Sequence, residues 1–504
     1  MSDTFPKAAE ADIALLLEGT FPFVSGGVSS WVNQIIRGFP EYRFAAVFIG
    51  SHPDDYEGIR YTLPDNLVHL EAHYLFGEAQ QTPAKAIPGN ARAFDKVREL
   101  HEWFFDPARQ ALDPMAKQLA FYLDPQQGVD EAQFLHSRQS WDYITEMYER
   151  RCTDPSFVDY FWTVRNMHAP IWLLARIARQ LIPARVYHSV STGYAGFLGA
   201  LLKHHHQRPF ILSEHGIYTK ERRIDLLQSQ WILDNRNAFQ RDPTEISYYR
   251  ALWIRFFEAL GRFCYEAADP VVSLFEDARR RQIMDGADAA RTTVIPNGID
   301  LPRLRPLREQ RPADPPPVLC LLGRVVPIKD IKTFIRAMRI VVNRLPEAEG
   351  WIVGPTDEDP EYAQECRDLA ESLGLEHSVK FLGFRKITEI LPKVGLLVLS
   401  SISEGLPLVV LEGYAAGVPV VSTDVGSCRQ LIFGQGAEDE ALGASGDIVR
   451  IADPQALAEA SLRLLQDPAR WRSAQAAAIR RVERFYTQEQ MFASYRDIYA
   501  RALG

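Results

Sequence analysis

Ser403-Glu-Gly-Leu-Pro-Leu-Val-Val-Leu-Glu-Gly413 follows the short apolar run 394–400. A run of that length ending in small polar residues reads as a buried strand. The apolar residues after Pro407 predict a helix over 406–416, so the stretch reads strand, turn, helix. Glu404 then stands in the turn and Glu412 eight residues on, in the helix. Ligands of open α/β sheets bind in the crevice beyond the carboxyl ends of the strands, and this turn belongs at such an edge. Taken alone, Glu404 is an ordinary first-turn acid favoured by the helix dipole. Glu412 has Val409, Val410, Leu411 and Ala415 as neighbours, and a carboxylate in apolar surroundings needs partners.

Upstream, the apolar run 318–322 predicts a second strand of the same kind, followed by Gly323-Arg324 and Lys329-Asp330, with a helix from Lys329 to about 344. Arginine presents a planar fork to phosphate oxygens and lysine a compact point charge. Acids able to hold hydroxyls and bases able to hold phosphates, at two strand ends, point to a sugar nucleotide. A third loop, 20–27, leads from the strand 12–17 into a helix over 28–38. Its Gly26-Gly27 pair lets backbone amides approach an anion at a helix N-terminus, although two glycines also make a tight turn.

The pattern extends in both directions. Strands are expected at 12–17, 44–49, 67–70, 185–188, 210–213 and 271–274. A long aromatic-rich helical stretch, 91–181, interrupts them as an insertion. A boundary falls at 294–300 (VIPNGID), where Pro296 and Gly298 punctuate the chain, with Pro-rich 311–317 after it. A second series follows, with strands at 318–322, 350–353, 379–382, 396–400 and 419–422. Helices alternate with them at 329–344, 361–373, 387–393 and 406–416, and helical stretches at 454–465 and 469–502 end the chain. This alternation predicts α/β architecture with two Rossmann-like, doubly wound domains facing a cleft. The expected domains are 1–293, 294–478 and a C-terminal helix, 479–504, crossing back to the first domain.

Composition narrows the classes. The 504 residues exceed what one core supports, and 46% hydrophobic with 24% charged residues is ordinary for a globular chain. Residues 51–150 hold 9 Lys+Arg against 17 Asp+Glu, most of the chain's net charge of −9, which argues against nucleic-acid binding and a polybasic grip on lipid. Five scattered cysteines form no CxxC pair and indicate neither zinc nor a disulfide framework. The N-terminal dozen residues lack the features of a signal peptide, and no apolar run reaches bilayer length, so a cytoplasmic location is expected.

Together Gly26-Gly27, VIPNGID (294–300), GRVVPIKD (323–330) and EGLPLVVLE (404–412) resemble the motifs of the retaining GT-B glycosyltransferases of family GT4, whose E-x7-E spacing Glu404 and Glu412 match. HSVSTGYAG (188–196), SEHGIYTKER (213–222) and the helical insertion resemble the branch of that family serving Pel exopolysaccharide synthesis. The resemblance implies transfer of a hexose from a nucleotide-diphosphate sugar, UDP-linked, to a growing polysaccharide, with retained configuration. It implies inner-membrane synthase partners and no metal or other cofactor. It assigns Arg324 and Lys329, beside Gly323, to the donor diphosphate, Glu404 to the donor sugar and Glu412 to the ribose. Gly26 and Gly27 are assigned to the phosphate and acceptor approach, and Gly405 and the amides of Leu406, Leu408 and Val409 to the helix N-terminus; Pro407 has no amide proton. His215 is expected on the sugar or acceptor side, with His188 as the alternative, because the family's usual histidine pattern is not reproduced cleanly.

The triple histidine His204–His206 reads as a solvated turn, and Asp357-Glu358-Asp359, though DxD-like, reads as a helix-start cluster. Two other readings remain open from sequence: a GT-B epimerase or phosphorylase, and a non-catalytic nucleotide-sugar-binding subunit.

Overall fold

Thirteen strands among the described residues form two parallel sheets. The computed structural model describes residues 5–76, 85–105, 128–237, 239–242 and 244–504. The part of the expected insertion that spans 106–127 lies outside the described residues. Two units separate: one runs to Val294 and takes in Arg496–Gly504, the other is Ile295–Tyr495.

In the first unit the strands are β1 (Ala11–Glu18), β2 (Phe44–Gly50), β3 (Leu67–Tyr74), β4 (Ala184–Ser189), β5 (Phe210–Glu214), β6 (Val271–Ser273) and β7 (Thr292–Val294). They pair in the order β3-β2-β1-β4-β5-β6-β7, all parallel. Ile13–Leu17 of β1 are fully buried, as a central strand covered on both faces requires. The winding direction reverses between β1 and β4. The second unit repeats the scheme with β8 (Val318–Leu322), β9 (Glu349–Val353), β10 (Val379–Gly383), β11 (Leu396–Leu399), β12 (Val420–Thr423) and β13 (Gly446–Val449), in the order β10-β9-β8-β11-β12-β13. Its reversal lies between β8 and β11.

Several elements differ from the sequence reading. β7 occupies residues next to the expected linker, and β13 adds an edge strand; three or four residues between polar neighbours leave no periodicity to detect. The stretch 469–502 is two helices, Pro468–Phe485 and Gln488–Leu503, because Tyr486 and Thr487 leave helical geometry to pair with Ile299. The return to the first unit begins at Arg496 rather than 479. There Tyr499 is fully buried and its hydroxyl reaches His188. His204–His206 complete the helix Tyr194–His206 instead of forming a turn, and Gln207 ends it in the left-handed region.

The helical insertion carries Ala91–Phe105, Glu131–His136, Arg138–Arg151 and Phe157–Gln180 among its described residues. Its interior holds two buried histidines with Nε2 atoms 2.9 Å apart. His168 Nδ1 faces the Val164 carbonyl at 2.7 Å, which makes it the protonated nitrogen and leaves Nε2 to accept from His101. His101 Nδ1 then accepts from the Tyr143 hydroxyl at 2.5 Å. This network holds only with both rings neutral.

Burial lowers the proton affinity of His101 well below the usual histidine value and brings His168 to about 4, with His188 at about 3 and His215 at about 4. Above about pH 6.5 neither the folded nor the unfolded chain protonates these rings. Below it the unfolded chain takes up protons that the folded one refuses, so stability falls from pH 6.5 towards 4. Glu214, raised to about 7 by burial, opposes this, since it favours the folded state as pH drops from 7 to about 4.5. One acid offsets roughly one of four histidines, each costing about 2 kcal/mol by pH 5. We therefore expect the first unit to melt at a distinctly lower temperature at pH 5 than at pH 7.5; an unchanged melting temperature contradicts the neutral network.

Candidate functional site

The reversal in the second sheet brings the loop after β8 against the loop after β11. Lys329 Nζ donates to Glu404 Oε1 at 2.6 Å, and Ser401 Oγ donates to the same oxygen at 2.6 Å. The side chains retain 23% and 11% exposure, so the pair is largely withdrawn from water at a strand edge. Lys329 does not open a helix, as the sequence reading had it. It closes a short 3-10 turn, Pro327–Lys329, and Asp330 follows in the left-handed region with φ 44°. Asp330 caps the helix Ile331–Arg344 by accepting from the Thr333 amide. Ser400, fully buried, donates to the Lys329 carbonyl at 2.9 Å, and the Ile402 amide donates to the Ile328 carbonyl at 2.9 Å. The backbone of the lysine turn is thus held by contacts from the loop after β11, the same loop that delivers Glu404.

Two glycines are demanded by close backbone approach. A Cβ on Gly426, at φ +52°, would lie 2.3 Å from the Glu404 carbonyl oxygen and 2.5 Å from that of Gly405. One on Gly354 would lie 1.9 Å from the Gly323 carbonyl oxygen. Gly323 and Gly405 therefore sit in loops supported by backbone rather than by side chains. Arg324 donates to both carboxylate oxygens of Glu358, at 2.6 and 2.7 Å, with each side chain about half exposed. A surface pair of this kind is worth about 0–1 kcal/mol, so an incoming diphosphate can displace the carboxylate. The DxD-like cluster is thereby occupied: Glu358 holds Arg324, and Asp359 caps the helix Pro360–Ser372.

The helix after Glu404 is Leu408–Ala415, with Pro407 at its cap and no side-chain cap; the amides of Leu408 and Val409 open its first turn, and Leu406 is buried just ahead of it. Glu412 lies within this helix and keeps partial exposure. Burial raises its carboxyl to about 7, with Arg303 pulling the other way, and no side chain among the described residues hydrogen-bonds it. A half-buried carboxyl with open acceptor sites is what a pair of vicinal hydroxyls would satisfy.

In the first unit, Gly26 and Gly27 are exposed at the start of the helix Gly27–Gly38, which has neither a side-chain cap nor an acid in its first turn. Gly26 is extended, with nothing within 4 Å of its absent Cβ. His188 is corrected from a ligand-facing strand end to an interior position. It is fully buried, with Nδ1 2.8 Å from the Tyr499 hydroxyl and Nε2 2.8 Å from Ser213 Oγ. His215 is partly exposed; its ring meets Trp31 edge-on at 4.5 Å, and its Nε2 has no hydrogen-bond partner.

Residues missed in the sequence support this edge. Glu214 is buried and takes hydrogen bonds from Tyr265, Gln282, Thr192 and the Tyr218 amide, pinning the backbone next to His215. Its adjacency to His215 was the available signal. Glu18, last in β1, accepts from the Tyr194 and Ala195 amides at the start of the helix after β4, and from the Tyr218 hydroxyl.

Comparison with known proteins adds lineage to this geometry. Residues 11–290 match the family described as Domain of unknown function (DUF3492), and residues 316–467 the family described as Glycosyl transferases group 1. A D-inositol 3-phosphate glycosyltransferase of Kineococcus radiotolerans is 31% identical over 238 residues, which cover 44% of this chain and 54% of that protein. The chain spans about half the length of the curated relatives it matches. Among solved structures, Anabaena Alr3699/HepE in complex with UDP-glucose aligns with a TM-score of 0.57 at 16% identity, covering 97% of this chain and all of that one. Sucrose-phosphate synthase of Thermosynechococcus elongatus aligns with a TM-score of 0.57 at 18% identity, over 97% and 98% of the two chains. The chain shares with these proteins the GT-B fold of two Rossmann-like domains, each built on one parallel sheet.

Proposed function

We propose that this chain, which belongs to the DUF3492 family through residues 11–290 and carries a glycosyl transferases group 1 region, is a glycosyltransferase. In this reading it moves a hexose from a nucleotide-diphosphate sugar to a glycan. The observation that carries the reading is the Lys329–Glu404 pair, with Gly323-Arg324 beside it, at the point where the second sheet reverses. Lys329 and Arg324 neutralise the charge that develops on the departing diphosphate. Glu404 orients the sugar hydroxyls, and Glu412 receives the ribose hydroxyls. The bond from the anomeric carbon to the diphosphate oxygen breaks as a bond to the acceptor hydroxyl forms on the same face. The hydroxyl proton passes to the departing phosphate. Retention by this single-face route, without a covalent glycosyl-enzyme intermediate, is part of the proposal. The first unit, with Gly26, Gly27 and His215, supplies the acceptor side.

The donor we propose is a UDP-sugar, the class bound in the Anabaena structure, and the product an exopolysaccharide of the Pel type made with membrane-embedded partners by a PelF-like enzyme. Among the described residues no helix is long and apolar enough to cross a membrane; attachment through those partners is part of the proposal. Catalysis without a metal is part of the proposal. Nucleotide release over a panel of UDP-, GDP- and ADP-sugars tests it: release of UDP with glycoside formation is expected. No release from any donor, or an isomerised sugar in place of a glycoside, sinks it.

A further inference from the structure

The acidic run Asp357-Glu358-Asp359 has no part in the transfer step, yet the fold fixes it beside the donor machinery. It lies in the loop between β9 and the helix Pro360–Ser372, and β9 is the parallel neighbour of β8, the strand that delivers Arg324. The two loops are tied by their backbones. The Gly323 amide donates to the Val353 carbonyl at 2.9 Å, and the Val325 amide to that of Pro355 at 3.0 Å. Downstream, Asp359 accepts from the Tyr362 amide and anchors the other end of the run. Main-chain geometry on both sides therefore delivers Glu358 to Arg324; the pair is no chance meeting of two long side chains.

The contact leaves room for exchange. Arg324 uses Nη1 alone, toward both carboxylate oxygens, and its Nε and Nη2 have no hydrogen-bond partner among the described residues. A phosphate oxygen can thus bond the guanidinium before the carboxylate leaves, and the carboxylate can return before the phosphate has gone. Both side chains are about half exposed, so the exchange disturbs no packing. Lys329 is held differently, since its partner Glu404 is largely buried and also bonded by Ser401. The two cations of the site therefore differ: Lys329 has a resident counter-ion and Arg324 an exchangeable one.

Resting on the transferase reading, we propose that Glu358 is an exchange carboxylate for the nucleotide. It occupies Arg324 in the empty site, yields it to the donor diphosphate and takes it back as the nucleoside diphosphate departs. The step that gains most is product release, which limits turnover in many enzymes. Cleavage leaves the terminal phosphate with an extra ionisable oxygen, so the product binds Arg324 more strongly than the donor does. A carboxylate at hand offsets that attraction in two ways, by competing for the guanidinium and by repelling the phosphate. Each effect is small between half-exposed groups, which keeps the exchange reversible.

Calorimetric titration of the full chain with UDP, GDP and ADP, with dissociation followed by stopped flow, tests the proposal. Glu358→Gln should tighten the nucleotide that the wild type binds best by about three- to tenfold, chiefly through slower dissociation. In steady-state turnover kcat and KM for the donor should fall together, with stronger inhibition by the released nucleotide. Asp357→Asn removes the same charge one residue away without touching Arg324, and should move the affinity by less than about twofold. Unchanged affinity in Glu358→Gln overturns the proposal. Weaker affinity does so too, because it makes Glu358 a fixed support of Arg324. An equal gain in Asp357→Asn also overturns it, since the effect is then one of bulk charge. If the wild type neither binds nor releases any of the three nucleotides, the transferase reading itself fails and the exchange role falls with it.

Discussion

Lys329→Ala should lower the rate of sugar transfer by about 10²–10³-fold, the usual loss when one preorganised donor to a developing negative charge is removed. The size follows from the setting. Lys329 and Glu404 are mutual partners at 2.6 Å, and both are largely withdrawn from water. Without the lysine, Ser401 is the one hydrogen-bond donor left to Glu404 among the described residues, and the carboxylate faces an anionic donor uncompensated. Lys329→Arg should not rescue, because a planar fork meets Glu404 and a phosphate with a geometry different from that of a compact point charge. The lysine is not part of the core, so circular dichroism and melting temperature should stay close to wild type. Measured as kcat and KM for the donor, both should worsen; normal turnover in Lys329→Ala would remove the residue from the mechanism.

Arg481→Met should destabilise the second unit by about 3–5 kcal/mol, the cost of stranding one member of a buried ion pair. Arg481 is fully buried in the helix Pro468–Phe485, with every guanidinium proton used. Nε donates to Asp439 Oδ1 at 2.6 Å, and the two terminal nitrogens donate to Ser445 Oγ and to the carbonyls of Ile432, Asp439 and Gly443. Those carbonyls run from the end of the helix Cys428–Phe433 to the residues just before β13, so the arginine holds the sheet's edge strand in place. Hydrogen exchange of peptides from 428–485, followed through a urea series, reads the loss directly. Arg481→Met combined with Asp439→Leu should recover part of it, since the stranded carboxylate is then gone. Equal stability of Arg481→Met and wild type would contradict the burial and the bonding.

Much of this was legible from local sequence. Buried parallel strands announce themselves as short apolar runs, and most boundaries fell within a few residues of the observed ones. Short edge strands were missed because β7 and β13 have too few residues for a pattern. The half-buried polar setting of Glu412 was legible because its apolar neighbours lie within one helical turn. The pairing of Arg324 with Glu358 was not, because it depends on where two separate loops meet. His188 carried a polar side chain at a strand end and read as ligand-facing, yet a tyrosine 311 positions away turns that place into core.

What the sequence determined by itself, then, is the repertoire: alternating buried runs and amphipathic helices, hence two parallel sheets, with particular acids and bases at their carboxyl ends. Strand order is a tertiary outcome, because hydrogen bonding between neighbouring parallel strands leaves no local mark of which run lies beside which. Only that order set β11 next to β8, and so brought Lys329 within 2.6 Å of a glutamate 75 residues further along the chain.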